Sequence, residues 1–313
     1  MKKKLSIALV VPILIGSALL TRTFMPMQLP LSPLADSALP PATPPAEMSL
    51  SALPTGSMES SAGFAFRGGD FLEKREFSMT AILVRHPRGD LLFDTGLGHE
   101  AESHQQSMPL LMRKFSRLTL GQTAAAQLKA QGYDPVQLAG VVLTHAHWDH
   151  ISGIADLPGV PVWLDADEHR FIDSDAPMAS LARSFGALPY REYTFEGGPY
   201  LGYARSHDVW GDGSVVLVPA PGHTPGSIIA FVALPSGARY ALLGDLVWQT
   251  EGITIPTERP WALRQMVDAD SDAVRAGISH VAAIHQHFPQ ITLLPAHDGR
   301  ANGALPVFPA AAN

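Results

Sequence analysis

The chain contains no cysteine among its 313 residues. This absence excludes disulfides, zinc–thiolate sites, cysteine nucleophiles and iron–sulfur clusters, because each of them needs a thiol. It also excludes a lipoprotein, since lipidation would need a cysteine after the apolar N-terminal run. The absence does not identify a cellular compartment, because exported proteins can also fold without disulfides.

The chain also has no cluster of basic residues after residue 4. It has 22 lysines and arginines against 29 acidic residues, which gives a formal net charge of −7. A nucleic-acid partner is therefore disfavoured, because such partners require a basic face. Hydrophobic residues make up 46% of the chain and charged residues 16%, a balance typical of a globular protein with a substantial core.

Residues 1–28 are predicted to be a secretory signal peptide or an N-terminal membrane anchor. Three lysines are followed by a run without charge from Leu5 to Leu20, which is the pattern of a signal peptide. Small residues at 16–18 offer a cleavage site, but a run of this length can also nearly span a bilayer. We expect an exported protein that is periplasmic or secreted, or else membrane-anchored and facing outward.

Residues 29–55 are rich in proline, with seven prolines between Leu29 and Pro54. Proline blocks both helix formation and strand pairing, so the segment is predicted to be a linker. A proline-rich ligand for a partner domain is the alternative. The globular domain is then expected to cover residues 56–313.

Apolar runs that end in turn residues dominate this domain and predict an α/β protein in which helices are interspersed with strands. The longest helix is predicted from Ser271 to Phe288, with Ser271 as its N-cap. Another helix is expected around residues 118–131, and a short one at 166–172. Strands are expected within 77–86, 90–96, 138–145, 160–165, 213–223, 227–234, 239–245 and 291–298.

The stretch "VVLTHAHWDHISG" places three histidines and an aspartate directly after a buried strand. In an extended backbone His145 and His147 point to the same side; Asp149 continues this alternation, and His150 turns away. One ion could not accept all four side chains from so short a loop, whereas two neighbouring ions could divide them. The sequence therefore predicts a metal site.

Other strand ends supply further ligands of the same kind. His223 follows one apolar strand within "PAPGHTPGS", Asp245 follows another within "YALLGDLVW", and His297 follows the last within "LLPAHDG". Together with the first cluster they make seven nitrogen and oxygen donors and no sulfur. This donor set suits Zn²⁺ or a similar divalent ion.

The motifs "FDTG", "HAHWDH", "GHTPGS", "LLGD" and "PAHD" together resemble those of the metallo-β-lactamase superfamily, over roughly residues 75–300. The resemblance implies an αβ/βα four-layer sandwich with the metals at one edge. It implies one ion on His145, His147 and His223, a second on Asp149, His150 and His297, and a bridge through Asp245. It also implies that Asp94 braces the histidine loop rather than binding metal.

Two such ions would share a water and lower its pKa, so that a bridging hydroxide could attack a carbonyl carbon. Asp149 or Asp245 could shuttle the proton. We therefore expect an exported enzyme with two divalent ions, most simply zinc, that hydrolyses a small-molecule substrate. A non-catalytic binding module on the same fold is disfavoured, because none of the seven ligands has been lost.

Among the branches of the superfamily, the motifs resemble those of acyl-homoserine-lactone lactonases and exported organophosphate hydrolases. A lactone or ester is the expected substrate, and a phosphotriester is the alternative. A β-lactamase is disfavoured, because those enzymes use a cysteine or lack the bridging aspartate. One departure from the lactonase pattern is Trp248, which stands where those enzymes often have a tyrosine and has no hydroxyl to offer the substrate.

The expected substrate pocket contains Trp248 and the aromatic segment 173–212, with Tyr190, Tyr193 and Tyr200. The alternative is that these tyrosines only pack the loop onto the sheet. The "HQH" at His285 and His287 copies the ligand spacing, but on a helix two positions apart the rings diverge. Six other histidines have no partner pattern and are expected to be structural: His86, His99, His104, His169, His207 and His280.

Overall fold

Two mixed β-sheets form the frame of the computed structural model, which describes residues 21–34 and 38–313. The first sheet has seven strands in the order β4-β1-β2-β3-β5-β6-β7, and the second has five in the order β12-β11-β10-β9-β8. The strands of the first sheet are β1 (Ser49–Ser61), β2 (Lys74–Arg85), β3 (Asp90–Phe93), β4 (Arg117–Leu120), β5 (Leu138–Val142), β6 (Val162–Leu164) and β7 (Tyr190–Glu192). Those of the second are β8 (His207–Asp208), β9 (Val215–Pro219), β10 (Ile228–Ala233), β11 (Arg239–Gly244) and β12 (Ile291–Pro295).

Most of the helices are short and lie between strands. The α-helices are α1 (Ala62–Ala65), α2 (Ala101–His104), α3 (Leu110–Phe115), α4 (Ala124–Ala130), α5 (Trp148–Ile151), α6 (Ala166–Asp173), α7 (Ser180–Ser184), α8 (Glu251–Thr254), α9 (Trp261–Val267), α10 (Ser271–His287) and α11 (Gly299–Gly303). The long helix α10 buries Val274, Ile278, Val281, Ile284 and the following Phe288, as its helical spacing predicts.

Successive side chains along a strand point to opposite faces of its sheet and so enter different layers. In β10, Ile228 and Ala230 enter a core cluster that also contains Ile82 and Val84 of β2, so this cluster lies between the two sheets. Ile229 on the opposite face of β10 packs with residues of α10 instead. The outer face of the first sheet packs against its own set of short helices. The result is the predicted αβ/βα sandwich of four layers.

The domain begins earlier than the predicted residue 56. Strand β1 starts at Ser49, because this part of the expected linker pairs with β2 in the order Ser49↔Arg85 through Pro54↔Thr80. Pro54 is tolerated since β4 pairs with β1 only from Gly56 onward, which leaves no ladder partner on that side for the missing N–H. The register shifts between Pro54 and Gly56.

The rest of the proline-rich segment is also not a free spacer. The N–H of Leu29 donates to the carbonyl of Pro256 at 2.7 Å, and that of Ser32 donates to Ser279 at 3.2 Å. Leu29 is buried, and Leu34 and Leu39 pack on the cluster beneath α10. The segment therefore covers apolar surface of the domain, a function that its proline content did not reveal.

The predicted signal or anchor lies mostly in residues 1–20, outside the described residues. Within the described ranges 21–34 and 38–313, no helix is both long enough and apolar enough to cross a bilayer. Residues 21–28 of the predicted segment lie against the folded domain, where the N–H of Gly68 donates to the carbonyl of Phe24 at 2.9 Å.

Two helix starts differ from the predictions. The helix expected at 118–131 is α4, which begins only after the N-cap Thr123, because Leu118 pairs with Met58 as part of β4. The N-cap of α10 is Asp270 rather than Ser271: its carboxylate accepts from the N–H groups of Asp272 and Ala273. Aspartate and serine are similarly good caps, so the sequence alone does not decide between neighbours.

Candidate metal centre

The seven predicted ligands come from four strand ends that meet at one edge of the sandwich. His145 and His147 follow β5, and His223 follows β9. Asp245 and His297 follow the parallel strands β11 and β12. Because β9 and β11 both run antiparallel to β10, the carboxyl ends of β9, β11 and β12 lie on the same side.

The loop after β5 differs in one detail from the alternation that the sequence predicted. His147 is the N-cap of α5, so Asp149 and His150 sit on a turn of helix rather than on an extended strand. The helix places Asp149 towards the centre together with His147, and it turns His150 towards Asp94 and Asp245. The predicted residues come together, but a turn of helix rather than an extended strand brings Asp149 and His150 to the site.

The first group of ligands consists of His145, His147 and His223. One donor atom from each lies within 4.8 Å of the others. Their rings stand edge to face, with centroids 4.5 to 4.7 Å apart. All three side chains are buried, so the group offers three imidazole nitrogens at one point of the fold.

The second group consists of Asp149, His150 and His297, whose donor atoms also lie within 4.8 Å of one another. Asp245 stands between the two groups. Its Oδ1 is 3.3 Å from Nε2 of His150 and 3.0 Å from Nε2 of His297, whereas its Oδ2 is 3.3 Å from Nε2 of His223. Each oxygen of Asp245 thus faces a different group, as a bridging carboxylate requires.

The unpaired atoms of the site fit metal ions. Nε2 of His145, His150 and His223, and Oδ1 of Asp245, are buried without a hydrogen-bond partner in the part of the chain that the structure describes. Buried polar atoms are rarely left unsatisfied, so four such atoms in one cluster indicate that these residues bind a further group. Nitrogen and oxygen donors in groups of three suit zinc or a related divalent ion.

The pKa shifts of two of the ligand histidines agree with this fit. Burial, together with the neighbouring imidazoles, lowers the pKa of His145 and His147 well below the usual range. Both rings are then neutral at pH 7, which is the form that binds metal. Burial alone would raise the pKa of Asp245, but His297 and His150 hold it well below its usual range. The Asp245 carboxylate is therefore ionised.

Asp94 braces the histidine loop, in the position expected from "FDTG". Its Oδ1 accepts from the N–H of Thr144 at 2.7 Å, and its Oδ2 accepts from the Thr144 hydroxyl at 2.8 Å. Oδ2 also lies 2.8 Å from Nδ1 of His150, which leaves Nε2 of that ring for the centre. Asp94 has a φ of 53°, a conformation that aspartate adopts more readily than most residues.

Two other ligand histidines are oriented by groups that no motif indicated. Nδ1 of His223 lies 2.9 Å from Oδ1 of Asp268, and the Arg259 guanidinium donates to the same carboxylate and to the backbone carbonyl of Asp245. Nδ1 of His297 lies 2.9 Å from the carbonyl of Ser78 in β2. These contacts fix the rings from the outside, and they join residues far apart in sequence.

Glu168 of α6 ties two ligand loops together. Its carboxylate accepts from the N–H of Ala146 at 2.6 Å, the hydroxyl of Thr224 at 2.7 Å and the N–H of Gly226 at 3.0 Å. Ala146 lies between two ligands of the first group, and Thr224 follows the third. Burial raises the pKa of Glu168 to about 7, and the three donors oppose this shift.

Glu168 was missed at the level of sequence, although a signal was present. It shares the buried face of α6 with Phe171 and Ile172, three and four residues further on. An acidic residue on the apolar face of a helix needs buried partners, because an unpaired carboxylate there is costly. The sequence could thus have singled out Glu168, but it could not have named the partners.

A cavity of about 970 Å³, including its opening to solvent, leads to the ligands. Five of the seven ligands line it: His147, Asp149, His223, Asp245 and His297. The rest of the wall is mainly apolar and rich in methionine, from Met58, Met108, Met112, Met178 and Met266. Methionine adapts to irregular shapes, so the wall suits a flexible apolar group more than a polar one.

Trp248 lines this cavity, as expected, and it also has an unexpected partner. Its indole N–H donates to Oδ2 of Asp245 at 2.8 Å, while the Arg259 guanidinium lies 4.8 Å from its ring centroid. The tryptophan therefore connects the wall of the cavity to the carboxylate between the two groups.

The prediction that three tyrosines line the pocket is wrong. Tyr190 packs with the core of the first sheet, Tyr193 with the core between the sheets, and Tyr200 with the cluster beneath α10. None of them is among the residues that line the cavity. The loop that carries them lacks a regular period, so the sequence did not show which of these side chains pack into the core and which face the cavity.

The histidines set aside at the level of sequence lie outside both groups of ligands. His285 and His287 are on α10. The ring of His86 stacks on Trp210 with centroids 3.8 Å apart, and Nε2 of His280 lies 2.8 Å from the carbonyl of Leu201. These two contacts are structural, as expected for lone histidines.

Replacing Trp248 with phenylalanine should keep an aromatic ring in the wall but remove the hydrogen bond to Asp245. We expect kcat/KM to fall by about 10- to 100-fold, since a hydrogen bond to a charged group contributes about 1.5–3 kcal/mol. Steady-state kinetics on the best substrate would measure this effect. The control is Met178→Leu, which alters the same wall but leaves the hydrogen bond from Trp248 to Asp245 in place. Unchanged kinetics in Trp248→Phe would show that the indole N–H has no role.

Comparison with known proteins places these features in context. The model of the metallo-beta-lactamase superfamily matches residues 76–286. A probable metallo-hydrolase of Mycobacterium tuberculosis is 29% identical over 229 residues, which is 69% of this chain and 73% of that protein. The N-acyl homoserine lactonase AttM of Agrobacterium fabrum is 26% identical over 178 residues, covering 55% of this chain and 66% of the lactonase.

A similar solved structure is that of an N-acyl homoserine lactone hydrolase with N-hexanoyl-L-homoserine bound at its catalytic metal center. It superposes with a TM-score of 0.64 at 17% identity, over 84% of this chain and 98% of that one. The dizinc quorum-quenching lactonase AidC superposes with a TM-score of 0.51 at 16% identity, over 84% and 91%. At such identities the likeness shows a shared fold.

Proposed function

The chain belongs to the metallo-beta-lactamase superfamily, and we propose that it is a dinuclear hydrolase of lactones or esters with an apolar acyl group. That it is a metal-dependent hydrolase follows from the family. The proposal adds the number of ions and the substrate. It rests chiefly on one observation: the two oxygens of Asp245 face two separate groups of ligands at the end of an apolar cavity.

The chain's own residues would have separate roles in the reaction. Divalent cations held by the two groups would supply Lewis acidity and a water of lowered pKa. The methionine-rich wall excludes bulk water and holds the acyl group. Asp149 lines the cavity, and its Oδ2 lies 3.4 Å from Nε2 of His297. Asp245 already accepts from Trp248, so Asp149 is the better placed of the two to hold the proton in transit.

A phosphotriester is the second candidate substrate, because the wall near the ligands offers no tyrosine hydroxyl to a carbonyl group. None of the described residues that line the cavity is a tyrosine, and the indole N–H of Trp248 is already directed at Asp245. Without a tyrosine hydroxyl to select a planar carbonyl, polarisation of the substrate would fall to the bound cations. Such a site accepts a phosphoryl oxygen as readily as a carbonyl oxygen.

The test is a metal analysis combined with a substrate panel. Full-length protein supplemented with zinc should bind two ions per chain by elemental analysis. Among acyl-homoserine lactones of increasing chain length, aryl esters, phosphotriesters and β-lactams, kcat/KM should be highest for lactones or esters with long acyl chains. One ion per chain would contradict the dinuclear site. Preference for short or charged substrates would contradict the substrate class.

We also propose that the enzyme acts outside the cytoplasm. The support is the sequence of residues 1–20, with its lysines and uncharged run. Cell fractionation with an antibody against the domain should find the protein in the periplasm, in the medium or on the outer side of a membrane. Detection of the protein only in the cytoplasmic fraction would contradict this part of the proposal and would leave the proposed hydrolysis reaction untouched.

A further inference from the structure

The mouth of the cavity is bordered by apolar side chains that are exposed to solvent. We name six of them the rim: Phe71, Leu72, Leu110, Leu111, Phe115 and Trp261. They are between 47% and 89% exposed, and Leu111 and Phe115 also line the cavity. Contiguous apolar surface of this kind commonly marks an interaction site.

Ring contacts join parts of the rim into one surface. The ring of Phe71 packs against Phe24 and Phe64, with centroids 5.0 and 5.3 Å apart. Phe64 in turn packs against Phe115 at 5.8 Å. The loop that carries Phe71 and the helix α3 that carries Phe115 thus meet on the same face, next to the cavity.

The N-terminal part of the chain enters the domain at the same place. Arg67 donates to the carbonyls of Arg22 and Met25 at 2.9 and 3.2 Å. The N–H of Trp261 donates to the hydroxyl of Thr23. Residues 21–25 are therefore fixed beside the rim. The sequence immediately before them, from Leu5 to Leu20, has no charged residue and follows three lysines.

We propose that the rim docks on a lipid bilayer, so that the cavity opens towards the membrane surface. An uncharged run of sixteen residues has the composition of a bilayer-inserting segment, and it joins the described chain at residue 21, beside the exposed apolar side chains. A second copy of the chain would cover the rim equally well, but it would not explain why the apolar N-terminal run joins the domain beside the rim. The inference holds whatever the substrate is.

Charge around the rim is mixed. Arg113 and Lys114 lie on α3 beside its exposed apolar residues, whereas Asp70 and Glu73 flank the loop of Leu72. The attraction must therefore come mainly from the burial of apolar side chains in the interfacial layer rather than from anionic lipid. Docking is accordingly expected on neutral phosphatidylcholine, with little dependence on salt.

Because the chain has no cysteine, single labels can test this orientation on the full chain. Leu72→Cys and Leu111→Cys would each carry an environment-sensitive fluorophore on the rim. Val136→Cys is the matched control, since Val136 is 68% exposed and precedes β5, at the opposite end of that strand from His145. Each labelled protein would be reconstituted in phosphatidylcholine vesicles with and without a lipid-attached quencher.

Both rim labels should shift to shorter wavelength in vesicles and lose most of their emission to the quencher, while the label at residue 136 stays as in water. A rim label that stays aqueous, at either position, would overturn the proposal even if the N-terminal segment holds the protein on the vesicle. A shift that appears without vesicles and grows with protein concentration would also overturn it, in favour of a second copy.

Discussion

Replacing Asp245 with asparagine is expected to lower kcat/KM by at least about 10³-fold, because the carboxylate proposed to serve two cations becomes a neutral amide. One of the two atoms that face His223 on one side and His297 on the other would become an NH₂ group. That group cannot bind a cation and is repelled by it. We therefore also expect the zinc content to fall from two ions per chain towards one.

The measurement combines steady-state kinetics with elemental analysis of the same preparation. Asp208→Asn is the control, because Asp208 accepts hydrogen bonds from the N–H groups of Gly211 and Gly213 but lies outside both groups of ligands. Its kinetics should stay close to those of the wild type. An Asp245→Asn protein with two zinc ions and nearly normal kcat/KM would contradict the bridging role.

Replacing Glu168 with alanine is expected to lower the free energy of unfolding by about 3 kcal/mol, because a buried donor left without its acceptor costs about 1–3 kcal/mol. The N–H groups of Ala146 and Gly226 would both lose their acceptor, whereas the Thr224 hydroxyl still has Ser227 within reach at 2.7 Å. Since these loops carry the first group of ligands, zinc affinity should fall as well.

Denaturant unfolding of the zinc-loaded and zinc-free proteins would separate the two effects. Loss of stability without zinc reports the hydrogen bonds, and any additional loss with zinc reports the positioning of the ligands. Asp167→Ala is the control on the same helix, because Asp167 is exposed and pairs only with Arg170 among the described residues. A Glu168→Ala protein as stable as this control would show that the carboxylate does not hold the loops.

The sequence was sufficient to predict the metal-binding chemistry. Short apolar strands ending in His145, His223, Asp245 and His297 indicated both the ligand types and their position at strand ends. The grouping of these residues was implied by the resemblance of the five motifs to the superfamily, and the structure brings their donor atoms close together. The prediction of α10 succeeded for a similar reason, because its apolar positions repeat with the helical period.

Other features could not be read from the chain. The start of β1 at Ser49 was hidden by the preceding prolines and by Pro54, which is tolerated because β4 pairs with β1 only from Gly56 onward. The tyrosines at 190, 193 and 200 were assigned to the pocket because of their chemistry, but their contacts place them in three different cores. Composition shows what a loop carries, and only packing decides which way it faces.

The amino-acid sequence by itself determined the family and the layered α/β class and predicted a candidate ligand set, since these depend on short motifs and periodic patterns. Tertiary structure alone decided the cavity, the rim and the bracing of the histidines by Glu168, Asp268 and Arg259. Each of these joins residues separated by long stretches of chain, such as Arg259 and His223. Such contacts have no local signature, because they arise only when the two sheets pack and their loops meet.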